Sequence, residues 1–325
     1  MSTWPQRLAE RWRLRPHTPA WLGPLVALAL VYGLFVVLAP DTFARPMNLV
    51  TMARQTAVVG VAASGMTMII MLGGIDLSVG SAVALTTVVV ASLLKAGVGP
   101  LPAALAGVAV AALTGAVNGT LVAGLGITPF IVTLGSMSIL RGLAKGLAHE
   151  QKIDVDIRGL DALVTPPSHG VLLFPPAVWL MLGVGVATAV VLRRTRFGRH
   201  VVAIGSSEET ARLCGVAVRP VKVLVYTLAA ALAGLAGVIE LGTLTVGDPT
   251  DSIGLELDVI ASVVIGGGSL SGGEGSVAGA LIGAMLMTVI KTGCTHLGLP
   301  NWVQELTTGF IIVTAVAIDR LRRRR

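Results

Sequence analysis

Five histidines, His17, His149, His169, His200 and His296, are the first places to look for chemistry, because imidazole serves both as metal ligand and as general base. They are scattered through tails and loops. No H-E-x-x-H, no pair at ligand spacing and no acidic partner at helical spacing accompanies them, so neither a metal centre nor a histidine-driven reaction is expected. The glycine runs Gly266–Gly268 and Gly272–Gly275 lack the Lys-Ser/Thr of a phosphate loop, which argues against nucleotide binding by this chain. No nucleophile is paired with a base. The expectation is a protein that is not an enzyme and carries no metal or cofactor.

A second pattern is the basic stretch Arg193–Lys222, with Arg193, Arg194, Arg196, Arg199, Arg212, Arg219 and Lys222 against only Glu208 and Glu209. Inside it, Ser206 and Glu209 have the spacing of a capping box and Gly215 is a natural helix stop, so a short helix is expected between them. Such a helix either solvates a loop or docks on a partner and passes on its motion. The residues that would carry the second role are Ser206, Ser207, Glu208, Glu209, Arg212, Leu213 and Gly215.

The elements around these residues follow from composition. With 54% hydrophobic residues, 13% charged, mean hydropathy +0.84 and 40 glycines in 325 residues, the chain reads as an all-α, polytopic helical membrane protein. The net charge of +7 concentrates in tails and one loop, where membrane topology accounts for it without nucleic acid. Segments able to cross about 30 Å of hydrocarbon are Trp21–Ala39, Leu49–Leu72, Leu77–Leu94, Leu101–Leu125, Phe130–Leu147, Val171–Leu192, Val221–Leu241, Ser276–Thr292 and Trp302–Ile318. Positive charge gathers on the cytoplasmic side, so tail 1–20, the loop 193–222 and the basic tail 320–325 should share it. That needs an even number of crossings after the loop, and the short run Leu255–Ile265 before the glycines supplies the missing one. About ten spans result, one of them short or broken, with both termini cytoplasmic and residues 21–319 as the membrane domain. The outer loops would be 41–46, 95–100, the acidic 150–170, 245–254 and 294–300.

Several interior polar residues then need roles. Asp76 precedes a helix start and is expected to accept backbone N–H groups there, and Glu256 and Asp258 should cap the short span. Arg141 and Lys145 should reach the outer interface or pair with the acidic loop. Asn118, Thr128, Phe130 and Thr133, beside Gly126 and Pro129, offer the small polar groups and the aromatic ring that suit a neutral solute, and they also suit helix packing. The run Gly73-Gly74-Ile75-Asp76-Leu77-Ser78-Val79-Gly80-Ser81 echoes Gly267-Gly268-Ser269-Leu270-Ser271-Gly272-Gly273-Glu274-Gly275-Ser276, and both are placed at cytoplasmic span ends as structural motifs. Cys214 and Cys294 fall on opposite sides and read as small packing residues.

The runs Leu72–Ser81 (LGGIDLSVGS), Gly126–Gly142 (GITPFIVTLGSMSILRG), Thr195–Gly215 (TRFGRHVVAIGSSEETARLCG) and Glu256–Ser276 (ELDVIASVVIGGGSLSGGEGS) resemble the ATP-binding-cassette importer permeases for ribose, xylose, arabinose and galactose. The resemblance covers the chain from about Asn48 onward. It implies a membrane subunit in the bacterial cytoplasmic membrane, forming a path through the lipid for a monosaccharide and working with a second copy of itself. It also implies a separate cytoplasmic ATP-binding subunit, docked on the helix 206–214, and an extracytoplasmic solute-binding protein. Permeases for branched-chain amino acids or nucleosides are the neighbouring readings. A secondary carrier is the rival of another class, and it would need a carboxylate free to titrate near the midplane.

Overall fold

The computed structural model describes residues 21–166 and 174–323, with side chains placed through residue 317. The tail 1–20 and the start of the span expected from Val171 lie outside the described residues. Thirteen α-helices follow in order: α1 (Leu22–Leu38), α2 (Pro40–Phe43), α3 (Pro46–Met71), α4 (Val79–Lys95), α5 (Pro100–Gly124), α6 (Pro129–Leu147), α7 (Pro176–Arg194), α8 (Arg196–Ser206), α9 (Glu208–Leu213), α10 (Val218–Leu244), α11 (Leu255–Ile265), α12 (Val277–His296) and α13 (Asn301–Arg323). Proline opens α2, α3, α5, α6 and α7, where its fixed φ suits a first turn and its missing N–H costs nothing.

Six helices, α3, α5, α6, α7, α10 and α12, are long and apolar enough to cross a membrane, and α1 and α4 are apolar helices of 17 residues each. The architecture is that of a polytopic helical membrane protein. At 11 residues α11 reaches only about 16 Å, half of a hydrocarbon core of about 30 Å. Helix α13 runs on through Arg323, past the expected end at Ile318 and into the basic tail.

Helices α3 and α10 form the centre, while α5, α6 and α7 keep most of their apolar surface facing outward, as lipid or another apolar partner requires. Helix α10 packs along α5, α3 and α4. The α5–α10 seam closes because Gly115 and Gly119 have no side chain. A Cβ on Gly115 would strike the Tyr226 carbonyl and Ala230, and one on Gly119 would strike the Val223 backbone.

The loop 150–166 is a folded cap. Strand β1 (Ile153–Asp154) pairs antiparallel with β2 (Val246–Gly247), Lys152 bridges Asp248 at 3.0 Å, and Ile157 and Leu160 join a buried cluster with Val90, Leu94 and Leu241. These strand residues are the departure from an all-helical chain among the described residues.

If seam closure is what holds the centre, Gly115→Ala should lower the thermal midpoint of the detergent-solubilised protein, at a cost of about 1–3 kcal/mol for overpacking. Gly135→Ala on α6, where a Cβ meets nothing within 4 Å, should leave the midpoint unchanged.

Candidate functional site

Two helix stops organise the site, and they account for the sequence echo. At the end of α3, Gly73 (φ +86°) and Gly74 return their N–H groups to the Ile70 and Ile69 carbonyls, each at 2.9 Å. At the end of α11, Gly267 (φ +89°) and Gly268 do the same to Val264 at 3.0 Å and Val263 at 2.8 Å. Both are the glycine-terminated C-cap that satisfies a helix's last carbonyls. Each stop is followed by a serine at the next helix start: Ser78 precedes α4, and Ser276 accepts the Gly279 N–H at 3.2 Å to cap α12. The echo therefore encodes one device used twice.

After the first stop the chain turns back into the bundle. Gly74 lies under the Tyr226 hydroxyl, which belongs to a residue about 12 Å along α10. Gly80 packs against the Ser252 carbonyl and the Glu256 carboxylate. Asp76 and Ser78 are buried. Asp76 Oδ1 accepts the Ser78 N–H at 2.7 Å and its hydroxyl at 2.6 Å, two positions before the helix rather than at its cap. Asn118 of α5 donates to Ser78 Oγ at 3.2 Å and accepts from Ser136 of α6, while Thr133 of α6 donates to the Ile75 carbonyl at 3.2 Å. Asn118 and Thr133 thus direct their polar groups to the re-entrant segment 72–78. Thr128 and Phe130 are exposed at the start of α6.

Around the basic loop the structure brings together residues far apart in sequence. Helix α8 was not anticipated, although Phe197, Val201 and Ile204 repeat at the spacing of one helix face and Thr195 caps it through the Gly198 N–H at 3.1 Å. Ser206 closes α8, its hydroxyl donating to the Val202 carbonyl, so the cap of the next helix belongs to Ser207, one residue later than expected. Ser207 Oγ accepts the Thr210 N–H at 3.3 Å, and Gly215 (φ +80°) ends α9 with its N–H on the Arg212 carbonyl. Glu208 bridges Lys222 of α10 at 2.6 Å and Arg212 at 2.8 Å, and Glu209 is exposed. Hydrogen bonding to the Lys222 ammonium, with Arg212 beside it, holds the Glu208 carboxyl below the usual carboxylate range. Leu213 is 83% exposed, an unusual place for a leucine at the tip of a well-capped helix.

The same loop meets the first glycine stop and the turn 272–273 that follows the second. A Cβ on Gly205 would strike the Met71 carbonyl and the Gly273 nitrogen, and one on Gly272 would strike the Gly205 carbonyl and Gly73. The Gly273 N–H donates to the Met71 carbonyl at 2.9 Å. The end of α8 is therefore packed directly against the end of α3 and the turn after α11.

Other expectations are corrected. Arg141 points inward to the Pro249 and Asp251 carbonyls rather than to the interface, Asp258 pairs with Lys291 rather than capping α11, and Cys214 is exposed rather than packed. Cys294 is buried. Among the described residues no group of three or more potential metal ligands converges.

A family model described as branched-chain amino acid transport system / permease component matches residues 48–316. The chain belongs to this permease family. Among its relatives, the ribose import permease protein of Escherichia coli K12 is 37% identical over 95% of this chain and 97% of the relative. The ribose import permease protein of Bacillus subtilis 168 is 38% identical over 92% of each, and the L-arabinose ABC transporter permease protein of Azospirillum brasilense is 32% identical over 93% and 88%. No solved structure matches. In this permease the four sequence runs quoted above fall on the two glycine stops, α6 and the α8–α9 unit.

Two substitutions test the geometry. Asp76→Asn keeps an acceptor for both Ser78 donors and should retain folded yield, whereas Asp76→Leu buries two unmet donors at about 1–3 kcal/mol each and should lower yield and thermal midpoint. The depressed Glu208 pKa stabilises the charged form, so its contribution is present above the ordinary carboxylate value and is lost as pH falls through the native one. The midpoint difference between wild type and Glu208→Gln should hold near neutrality and vanish below about pH 4.

Proposed function

We propose that this permease is the membrane-spanning subunit of an ATP-driven importer, carrying a monosaccharide of the ribose, arabinose, xylose or galactose type through the cytoplasmic membrane. The observation that carries the reading is the α8–α9 unit. It ends in an exposed Leu213 on a helix fixed at both ends, and Gly205 wedges it between the stop of α3 and the turn after α11. Apolar exposure at a rigid tip suits a partner, and the wedge suits transmission of that partner's motion. The partner in this reading is a cytoplasmic ATP-binding subunit, contacted by Ser206, Ser207, Glu209, Arg212, Leu213 and Gly215, with Glu208 anchoring the unit to α10.

The solute would arrive on an extracytoplasmic binding protein. The ten crossings would be α1, α3, α4, α5, α6, α7, α10, α11 with the chain above it, α12 and α13, with both termini and the loop 193–222 cytoplasmic. A second copy would face the outward surfaces of α5 and α6, and the path would run beside α6 past Thr128 and Phe130, with Asn118 and Thr133 as the layer behind. The names of the relatives favour a sugar over the amino acid in the family description.

The decisive experiment reconstitutes the permease with its ATPase and binding protein in liposomes. Labelled ribose, arabinose and leucine are then offered with internal ATP. Sugar uptake that requires ATP and binding protein is expected, uptake of leucine alone would reverse the solute class, and uptake without ATP would remove the importer reading. Leu213→Ser with Arg212→Ala should leave the subunit folded, since both side chains are exposed, yet abolish binding-protein-stimulated ATPase and uptake together.

A further inference from the structure

Charge inside the membrane-spanning bundle gathers in a region that the glycine stops and the coupling unit leave unused. The segment 245–254 runs from the cap 150–166 to Ser252 beside Gly80, and α6 sends Arg141 to meet it. One guanidinium nitrogen, Nη1, donates to the Pro249 carbonyl at 3.0 Å and the Asp251 carbonyl at 2.6 Å. Glu256 and Asp251 lie within electrostatic reach of that guanidinium. The Glu256 carboxylate rests on the first turn of α4, where the peptide dipoles favour negative charge. Across the bundle, Glu240 of α10 is within electrostatic reach of Asp251 and of Arg54 on α3, and the Arg54 Nε is buried with no hydrogen-bond partner among the described residues. The neighbouring Asp258–Lys291 pair is different, because each charge already meets its opposite.

A charged side chain at membrane depth costs about 3 kcal/mol or more, so Arg54 on α3, Arg141 on α6 and Glu240 on α10, which meet the segment leading into α11, call for a use. The chemistry of this cluster selects among solutes. Four carboxylates, Glu240, Asp248, Asp251 and Glu256, of which Asp248 is already bridged to Lys152, face two guanidinium groups here, which opposes an anionic solute and the carboxylate end of an amino acid. A polyol suits it, since each hydroxyl can donate to a carboxylate while accepting from a guanidinium, and neither partner needs to change its ionisation. Arg141 also stands at the border of the outward-facing surface of α6, with Gly142 and Leu143 exposed beside it.

We infer that Arg141, Asp251 and Glu256, backed by Glu240 and Arg54, form a transient contact site for the hydroxyls of a neutral sugar. Solute hydroxyls replace the Pro249 and Asp251 carbonyls on the Arg141 guanidinium as the sugar passes. Arg141 is thereby a specificity-determining residue of the path. This rests on the monosaccharide reading above.

The test uses the complete complex in proteoliposomes and reads ribose moved per ATP hydrolysed, with the thermal midpoint of the solubilised complex as a second measurement. Losing a charge-assisted hydrogen bond made during passage should lower that ratio about tenfold in Arg141→Gln, with Arg141→Lys between it and wild type, and by more than the fall in midpoint that loss of the Pro249 and Asp251 contacts brings. Glu256→Gln should lower the ratio likewise. An unchanged ratio in both glutamine variants overturns the assignment, as does a ratio that falls only in step with the midpoint, which would make the cluster a scaffold. Should the wild-type complex couple ATP hydrolysis to leucine uptake and move no sugar, the monosaccharide reading fails and this site fails with it.

Discussion

Hydrocarbon offers an interrupted helix no hydrogen-bond partner, and this chain interrupts its helices inside the bundle at 72–78 and again on either side of α11. Everything else is arranged to satisfy the backbone exposed there. The glycine stops return N–H groups to the carbonyls of their own helices, Asp76 takes up the Ser78 donors, Arg141 occupies the Pro249 and Asp251 carbonyls, and Met71 accepts from Gly273. The last two of these repairs join separate elements. The need to satisfy broken backbone is thus what ties α6 to the segment 245–254 and α3 to the turn after α11.

Those ties explain how a stiff bundle can respond to a contact at its edge. The α8–α9 unit is fixed to α10 through Glu208–Lys222 and to the end of α3 and the turn after α11 through Gly205. Three elements that reach the interior therefore share one attachment. Packed cores move between discrete arrangements rather than deform smoothly, which is the property the proposed coupling would use. The cap 150–166 is built oppositely, from a short strand pair, the Lys152–Asp248 ion pair and the buried Ile157 and Leu160, and it braces the far ends of α4 and α10.

Apolar length was legible in the sequence, down to the short helix Leu255–Ile265, because a span and its terminators are local signals. The α9 helix was legible too, except that its cap is Ser207: two adjacent serines satisfy the same local rule, and only the amphipathic helix before them decides between the two. The echo of Gly73-Gly74 in Gly267-Gly268 could be seen but not understood, since a repeated C-cap and a repeated domain leave the same letters. What sequence could not supply was direction. Arg141, Asp258 and Lys291 sit where a side chain can turn to the interface or to the interior, and the partners that draw them inward lie about thirty to a hundred residues away. Asn118 and Thr133 are of the right type for a solute path, yet their polar groups meet the re-entrant segment.

The junction at Gly205 also sets an order in time. Its parts come from the end of α3, the end of α8 and the turn after α11, so the Met71–Gly273 hydrogen bond joins residues about two hundred positions apart, and closing so long a loop comes late in folding. A chain emerging from N- to C-terminus can insert its early helices one by one, but it cannot seat α8 until the second glycine stop has been made. The α8–α9 unit therefore gains its full support only after α11 and the turn beyond it are in place.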